Sequence, residues 1–429
     1  MHKRIWLALV LVFALVLSSS CSLVAKDESV EMATVVLEVN GRSFTKAELQ
    51  EQIDACLDYY EYIYYYYYGY TFDRTDEAVI ADAQNEAIAY LTQMALVDAK
   101  IAEYGFDVFT EEELAEIEAA AKEEYDLYYE TVLTFFFADT ELTGDELKAA
   151  VDAELASMGY SDYEGLLEEM KYTRSQEKLV ELLNKDIAVS EEEVTTGYAA
   201  RVEADKATYT ANPGSYGTDI LDGVTLYYAP EGYRYVKHIL LQYLEEDQAL
   251  IEELELTISE KQEALAALAE GEDPVAINAE IEQLEADLLA ARDAALVKLQ
   301  PKADEIKAKL AEGVDFETLI AEYNEDEGMA EETEGYAVSA DSTDWVTEFK
   351  DASMALAAVG DVSEAVPSYS GLHFIRYLSD IPAGEIGLET VREALTAELL
   401  AEKQSANISA LLTEWEADAK IVIHEKKLK

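Results

Sequence analysis

Few side chains in this sequence can do acid–base, nucleophilic or metal chemistry near neutral pH. There are four histidines (His2, His238, His373 and His424) and two cysteines (Cys21 and Cys56) in 429 residues. Histidine is the side chain whose ordinary pKa brings a charge change into the physiological range. Taken singly, His238 and His373 each read as a satisfied core residue. Two Cys and four His exclude a disulfide scaffold, a zinc ribbon and most Cys/His metal centres, so neither a metal site nor a cofactor is expected. Carboxylates are abundant instead, with 91 Asp and Glu against 31 Lys and Arg and a net charge of −60. Such a chain lacks the basic footprint that phosphate backbones require, which excludes nucleic acid as a partner. It is equally unsuited to anionic lipid by charge alone.

Cys21 has a chemistry of its own. His2, Lys3 and Arg4 precede an unbroken apolar run of 13 residues, Ile5 to Leu17. A bilayer-spanning helix needs roughly 20 apolar residues, so the run reads as a signal peptide over residues 1–20. Ser18-Ser19-Ser20-Cys21 is close to a bacterial lipobox, in which the Cys becomes the lipidated first residue. That pattern usually places Leu three residues before the Cys; here Leu17 stands four before. The expectation is an exported protein anchored through Cys21 on the outer face of the cytoplasmic membrane. Cys56 lies in a helical pattern and reads as a small core residue.

The elements that must position the remaining chemistry follow in order. Thr34–Val39 reads as a strand, Asn40-Gly41 as a tight turn and Arg42–Phe44 as the return. Ser/Thr-x-x-Glu boxes at Thr45–Glu48, Thr110–Glu113, Thr143–Glu146, Ser161–Glu164 and Ser190–Glu193 each open an apolar-periodic run. Residues 33–206 are therefore expected to be a mostly helical domain. Within it, nine tyrosines crowd residues 59–70. On a helix they cover every face, so they cannot all be core. They make either a partly buried helix end or an adhesive surface for unfolded chains. Phe135-Phe136-Phe137 reads as core. Turn clusters at Asn212-Pro213-Gly214 and Pro230-Glu231-Gly232 mark residues 207–231 as a linker.

Residues 233–241 then read as a buried strand. Ile251, Leu254, Ile258, Leu265 and Leu268, and later Ile281, Leu284 and Leu288, keep heptad spacing on either side of a turn at 269–274, predicting an antiparallel helical hairpin over 247–299. Its heptads suggest a spacer or a client arm that needs little from the domain carrying it. Gln300-Pro301 is expected to break the second helix, with a new one from Ala303 to Ala311. A long helix over Leu388–Ala417 and a strand at Lys420–His424 close the chain.

Five segments in order carry a resemblance: V-K-H-I-L-L (236–241), A-K-L-A-E-G-V-D-F-E-T-L-I-A-E-Y-N-E-D (308–326), F-K-D-A-S-M-A-L (349–356), V-G-D-V-S-E-A-V (359–366) and S-Y-S-G-L-H-F-I-R (368–376). Together they resemble the parvulin-type peptidyl-prolyl isomerases over residues 232–383. With the flanking helices and the lipoprotein-like start, the chain resembles exported foldases of the PrsA and SurA kind, PrsA being the closer comparison. The resemblance implies an α+β fold: a parvulin-like domain with a hairpin insertion, and a helical chaperone domain completed by residues 384–429. It implies unfolded exported polypeptides as clients. It places the catalytic network on His238, Asp326, Ser370 and His373. Substrate contacts fall on Phe349, on Trp345 one helical turn earlier where the family usually has Met, and on Ala337 or Val338. The expected Gly pair near 335 is a single Gly335 followed by Tyr336. Isomerases of this fold that prefer phosphorylated Ser/Thr-Pro carry a basic loop after the first strand; the acidic Glu245-Glu246-Asp247 there argues against phosphate selectivity. Two other readings stand beside this one: a holdase whose isomerase domain barely turns over, and a structural coiled-coil surface protein, which accounts for the hairpin but not for residues 303–376.

Overall fold

The computed structural model describes residues 31–138, 140–268, 274–330 and 334–428. The signal segment and Cys21 lie outside the described residues, as does most of the turn expected at 269–274. The chain divides into two compact units, one running to Ala188 and resuming at Leu400, the other spanning Val189–Leu399.

The first unit begins with a hairpin of β1 (Val35–Val39) and β2 (Arg42–Thr45), turned by Asn40 and Gly41 at φ 49° and 91°. Positive φ at both positions gives the twist that a two-residue hairpin needs. Helices α1 (Lys46–Tyr68), α2 (Glu77–Tyr104), α3 (Glu111–Phe136), α4 (Gly144–Ser157) and α5 (Tyr163–Asn184) follow. Val36, Leu37, Val39 and Phe44 bury against Leu49, Ile53, Cys56 and Leu57 of α1 and Ala83, Ala87 and Leu91 of α2. Full capping boxes form at Thr45–Glu48, Thr110–Glu113 and Ser190–Glu193. Two expected boxes do not form. Thr143 makes no side-chain cap, and Asp162 rather than Ser161 caps α5, because the nearer carboxylate reaches the Gly165 N–H. Phe135 and Phe136 also depart from expectation. They lie at the end of α3, exposed, while Phe137 packs beside Val132, Val151 and Leu155.

In the second unit, residues 207–231 are not a linker. Helix α6 (Glu191–Ala211) runs into them, α7 (Ser215–Leu221) and β3 (Tyr228–Ala229) follow, and Tyr209, Tyr216, Ala229 and Tyr233 share one buried cluster. Then come β4 (Arg234–Gln242), α8 (Glu245–Ala266), α9 (Val275–Ala311), α10 (Phe316–Tyr323), β5 (Tyr336–Val338), α11 (Thr347–Ala355), β6 (Val366–Ser368), β7 (Gly371–Asp380) and β8 (Gly384–Glu385). Four strands make an antiparallel sheet in the order β5-β4-β7-β6. Gly371 at φ 141° lets the start of β7 lie close against β4, since a Cβ there would sit 2.0 Å from the Leu241 carbonyl oxygen.

Helices α8 and α9 lie antiparallel, tied at successive levels by Lys298 to Glu246 and Asp247, Arg292 to Glu255, and Lys261 to Glu280. The base of this hairpin is not self-sufficient. Ile251, Ala295 and Leu299 share a core with Ile239, Leu241, Phe316, Leu319 and Phe374. Pro301 does not end α9 either, which runs on as one helix of 37 residues. A mid-helix Pro costs about 3 kcal/mol; here buried Leu299, Ala303 and Ile306 flank it and hold both halves on the same core. Helix α12 (Leu388–Asp418) leads to β9 (Ile421–Ile423), which pairs antiparallel with β1 and so joins the chain ends in the sheet β2-β1-β9.

Candidate active site

Alternation along β4 and β7 decides what faces what. Ile239, Leu241, Leu372 and Phe374 point to one side of the sheet, where α9 and α10 cover them. Val236, His238, Leu240, His373 and Ile375 point to the other. Leu240 pairs with His373 and His238 with Ile375, so the two histidines are diagonal neighbours on adjacent strands. Their rings lie 5.2 Å apart and nearly parallel. Both are buried.

A continuous hydrogen-bond chain runs through them. His238 Nε2 lies 2.7 Å from Asp326 Oδ2. His238 Nδ1 and His373 Nδ1 are 3.0 Å apart, and His373 Nε2 is 2.7 Å from Ser368 Oγ. The Ser370 N–H donates to Ser368 Oγ at 3.0 Å, and Tyr336 Oη–H donates to Asp326 Oδ2 at 2.8 Å. Since a carboxylate only accepts, His238 carries its proton on Nε2. With a neutral His238 ring its Nδ1 accepts, His373 donates from Nδ1, and His373 Nε2 accepts from the Ser368 hydroxyl. Every polar atom is satisfied with both histidines neutral. Among the described residues, the buried side-chain polar atoms without a partner lie elsewhere.

The electrostatics agree with this proton order. Burial, reinforced by the neighbouring His238 and opposed by Asp326, pushes the His373 pKa down to about 3. The hydrogen bond from His238 holds the Asp326 carboxyl below its ordinary value; burial opposes this, and Tyr336 assists it. Asn324 braces the aspartate loop, accepting from the Leu240 N–H at 2.9 Å and donating to the Asp326 carbonyl at 2.7 Å.

Phe349, 2 % exposed, seats its ring 5.1 Å from His238 and 5.4 Å from His373. Trp345 lies 5.5 Å from Phe349 and 4.5 Å from Tyr336, and its Nε1–H donates to the Ala337 carbonyl at 3.0 Å. Val338, Val236, Met329 and Ile375 complete this cluster.

Four expectations need correction or completion. Ser370 contributes its backbone N–H, and the hydroxyl on His373 belongs to Ser368. Strand β6 places Ser368 opposite Gly371, beside the histidine, whereas Ser370 lies in the turn. Trp345 precedes α11 rather than sharing its face; a loop carries it to Phe349. Ala337 points away, into the cluster of Tyr209, Tyr216 and Tyr233, because it alternates with Tyr336 and Val338. Tyr336 was not foreseen as a site residue. The missing second glycine after Gly335 was its signal. Gly335, at φ 92° and with no room for a Cβ against the Val236 carbonyl, brings Tyr336 into place.

An antiparallel sheet with two facing histidines, a carboxylate on the outer imidazole nitrogen and an aromatic socket alongside defines a dual-histidine α+β domain. Residues 282–379 match the Rotamase family, described as a PPIC-type PPIASE domain. The chain therefore carries a peptidyl-prolyl isomerase domain of the parvulin type. The matched segment begins inside α9, after the hairpin that separates β4 from the rest; strand pairing restores β4, with His238, to the same domain. No curated protein matches the chain. Among solved structures it is similar to the peptidylprolyl isomerase PrsA of Bacillus cereus (18 % identity over 73 % of this chain and 88 % of that one, TM-score 0.21). It is also similar to the foldase PrsA of Streptococcus pneumoniae (15 %, 78 % and 85 %, TM-score 0.23). A SurA-like chaperone of Campylobacter jejuni overlaps more of it (12 %, 91 % and 98 %, TM-score 0.32).

Proposed function

We propose that this chain is an exported peptidyl-prolyl cis-trans isomerase and folding chaperone, anchored through Cys21, acting on unfolded or partly folded polypeptides outside the cytoplasmic membrane. The observation that carries the catalytic part is the satisfied chain from Tyr336 through Asp326, His238 and His373 to Ser368, laid against Phe349.

Rotation about X–Pro is opposed by amide resonance, with a barrier of roughly 18–20 kcal/mol. No nucleophile is needed. A catalyst favours the twisted state, in which the C–N bond is nearly single and the prolyl nitrogen is pyramidal. An apolar seat at Phe349 and Trp345 strips water from the proline ring. Fixed dipoles of the two neutral imidazoles then set the field beside the carbonyl without reorganising as it turns. Asp326 holds the tautomers and does not act as a base. With Phe349 only 2 % exposed, a proline ring reaches it by displacing a neighbour, and half-buried Trp345 is the one placed to yield. The same observation favours a second reading, a holdase of low turnover.

A cis-to-trans assay with a short X–Pro peptide on the full chain separates the two. Turnover well above the uncatalysed rate is expected; none, in a protein that still suppresses client aggregation, selects the holdase. For the anchor, Cys21→Ala should release the protein from the membrane fraction or block its processing. A variant that is processed and fractionates like the parent removes the lipid from the proposal.

A further inference from the structure

The aromatic half of α1 lies far in sequence from the isomerase site and is left unused by it. After Leu57 the buried stripe of α1 gives way to tyrosine. Tyr60 and Tyr64 turn toward Phe72, 6.0 and 5.3 Å away ring to ring. Tyr62, Tyr65, Tyr66, Tyr67 and Tyr70 do not bury. They are between 55 and 74 % exposed. Tyr62 and Tyr66, one turn apart, stack at 5.5 Å with planes 19° apart, and Tyr67 meets Tyr66 edge-on at 5.7 Å. Gly69, at φ 65°, closes the helix and donates its N–H to the Tyr65 carbonyl, so the ladder rests on a capped, regular helix. Its rings are pre-ordered, and Tyr spends only two side-chain torsions on a contact.

The charge around the ladder is one-sided. From Glu48 to Glu77 the only cation in the sequence is Arg74, against eight carboxylates. Arg74 is already tied to Asp58 and Glu61, at 2.6 and 2.9 Å. Open π-faces attract cations, and guanidinium groups stack on them. A surface of tyrosine faces in a segment with eight carboxylates to one cation, on a chain of net charge −60, attracts Arg and Lys twice over and repels acidic partners. A folded partner needs a matching surface. An unfolded chain needs only successive side chains that fall on successive rings.

We infer that the exposed tyrosine ladder of α1 is a docking surface for unfolded, Arg- and Lys-rich polypeptide segments. It selects clients by positive charge, through contacts separate from the proline socket. The inference goes beyond the isomerase reading and stands or falls apart from it, because it is read by binding and not by turnover.

The test uses the full chain and three labelled, unstructured peptides of equal length, rich in Arg/Lys, in Glu/Asp, or in Ser/Gly with Leu. Fluorescence anisotropy at low and high salt reads their affinity. The basic peptide should bind at least about tenfold more tightly than the other two, with the gap narrowing as salt rises. Replacing Tyr62, Tyr65, Tyr66, Tyr67 and Tyr70 by Ser should weaken it about tenfold, while the Phe versions of the same five keep affinity within about threefold, since the faces remain. Tyr66→Lys with Tyr67→Lys changes only two exposed positions and should abolish the preference even if the quintuple Ser variant fails to fold. X–Pro turnover on a small peptide should be unchanged in all of them. The inference is overturned if the double Lys variant binds the basic peptide like the parent, or if the apolar peptide binds as tightly as the basic one. It is overturned equally if sedimentation shows the ladder buried in a dimer of this chain that the Lys pair dissociates.

Discussion

The two faces of the four-stranded sheet are built from alternate residues of the same two strands, yet they are organised on opposite principles. One face is apolar beneath its helices, with Lys237 and Arg376 at one end paired to Glu317 and Asp315. Ile239, Leu241, Leu372 and Phe374 meet Leu299, Ala303, Ile306, Phe316 and Leu319, and also Ile251 from the hairpin base. It can be satisfied by any side chains of the right volume. The other face buries a polar line, His238 and His373 with Ser368 and Asp326, amid Val236, Ile375, Val338 and Phe349. Buried polar groups cost free energy unless every atom is paired, so this face is constrained in chemistry as well as in volume. Stability resides on the first face and chemistry on the second. A single-residue slip in register would exchange them.

The largest expected effect tests the first face. Replacing residues 247–299 by a short Gly/Ser linker removes Ile251, Ala295 and Leu299 from the shared core. Losing a buried Ile or Leu side chain costs about 2–5 kcal/mol, so without Ile251 and Leu299 the domain should lose cooperative unfolding. A shorter cut, replacing 256–291 between the paired Glu255 and Arg292, leaves those three residues in place. It adds only the small cost of closing a new loop. That version should melt cooperatively and keep turnover within a few-fold. A stable 247–299 deletion would show that the hairpin base is dispensable after all.

Next comes the second face. His373→Ala leaves the Ser368 hydroxyl proton without its acceptor and His238 Nδ1 without its partner, and should lower kcat/KM by about a hundredfold, the scale of losing one fixed dipole at a reacting carbonyl. The circular dichroism spectrum should persist. Unchanged turnover would place the chemistry elsewhere. A bulky apolar exchange on the opposite face, Leu319→Met, should leave turnover per folded molecule unaltered.

Much of this contrast was legible in the sequence, and what was not has local causes. The two histidines, Asp326 and Phe349 follow from a resemblance carried by segments in a fixed order, and the fold brings the four together. The resemblance points to Ser370 where the fold uses Ser368, because the choice depends on where β6 stops and the Gly371 turn begins, a matter of strand register that no composition reveals. Trp345 was placed on a helix that begins only at Thr347; an i, i+4 spacing carries meaning only inside a helix. Pro301 reads as a break on helix propensity alone, and the core on either side of it overrides that propensity. Exposed Phe135 and Phe136 lie in the last turn of α3, where the apolar face has run out of neighbours.

A third effect is seen in stability against pH. An unfolded histidine takes a proton below about 6.5, whereas His373 in the fold resists it down to about 3. Between those limits the unfolded state binds one more proton, so stability falls with acidification, by about 1.4 kcal/mol per pH unit for that group. The slope is present below 6.5 and levels off below about 3. His373→Ala should flatten it over that window, read from denaturant midpoints as pH is lowered. Parallel parent and variant curves would mean that His373 is not held neutral by the fold.

The smallest expected effect concerns the junction of the two requirements, where Tyr336 serves both. Its ring packs on Trp345 at 4.5 Å, and its hydroxyl donates to Asp326 Oδ2 at 2.8 Å. Tyr336→Phe keeps the ring and removes one donor from the carboxylate. His238 and the Gly328 N–H still hold Asp326, so the site should stay assembled and turnover at neutral pH should change by no more than a few-fold. The carboxyl, kept low by His238 first and by Tyr336 with it, should rise toward its ordinary value. Because the ionised form is the one that fixes the His238 tautomer, the acid limb of kcat/KM should move to higher pH while the alkaline side stays put. A purely structural role for Tyr336 would lower kcat/KM equally at all pH values. An acid limb that does not move would separate Tyr336 from the hydrogen-bond chain and leave it as a wall of the socket alone.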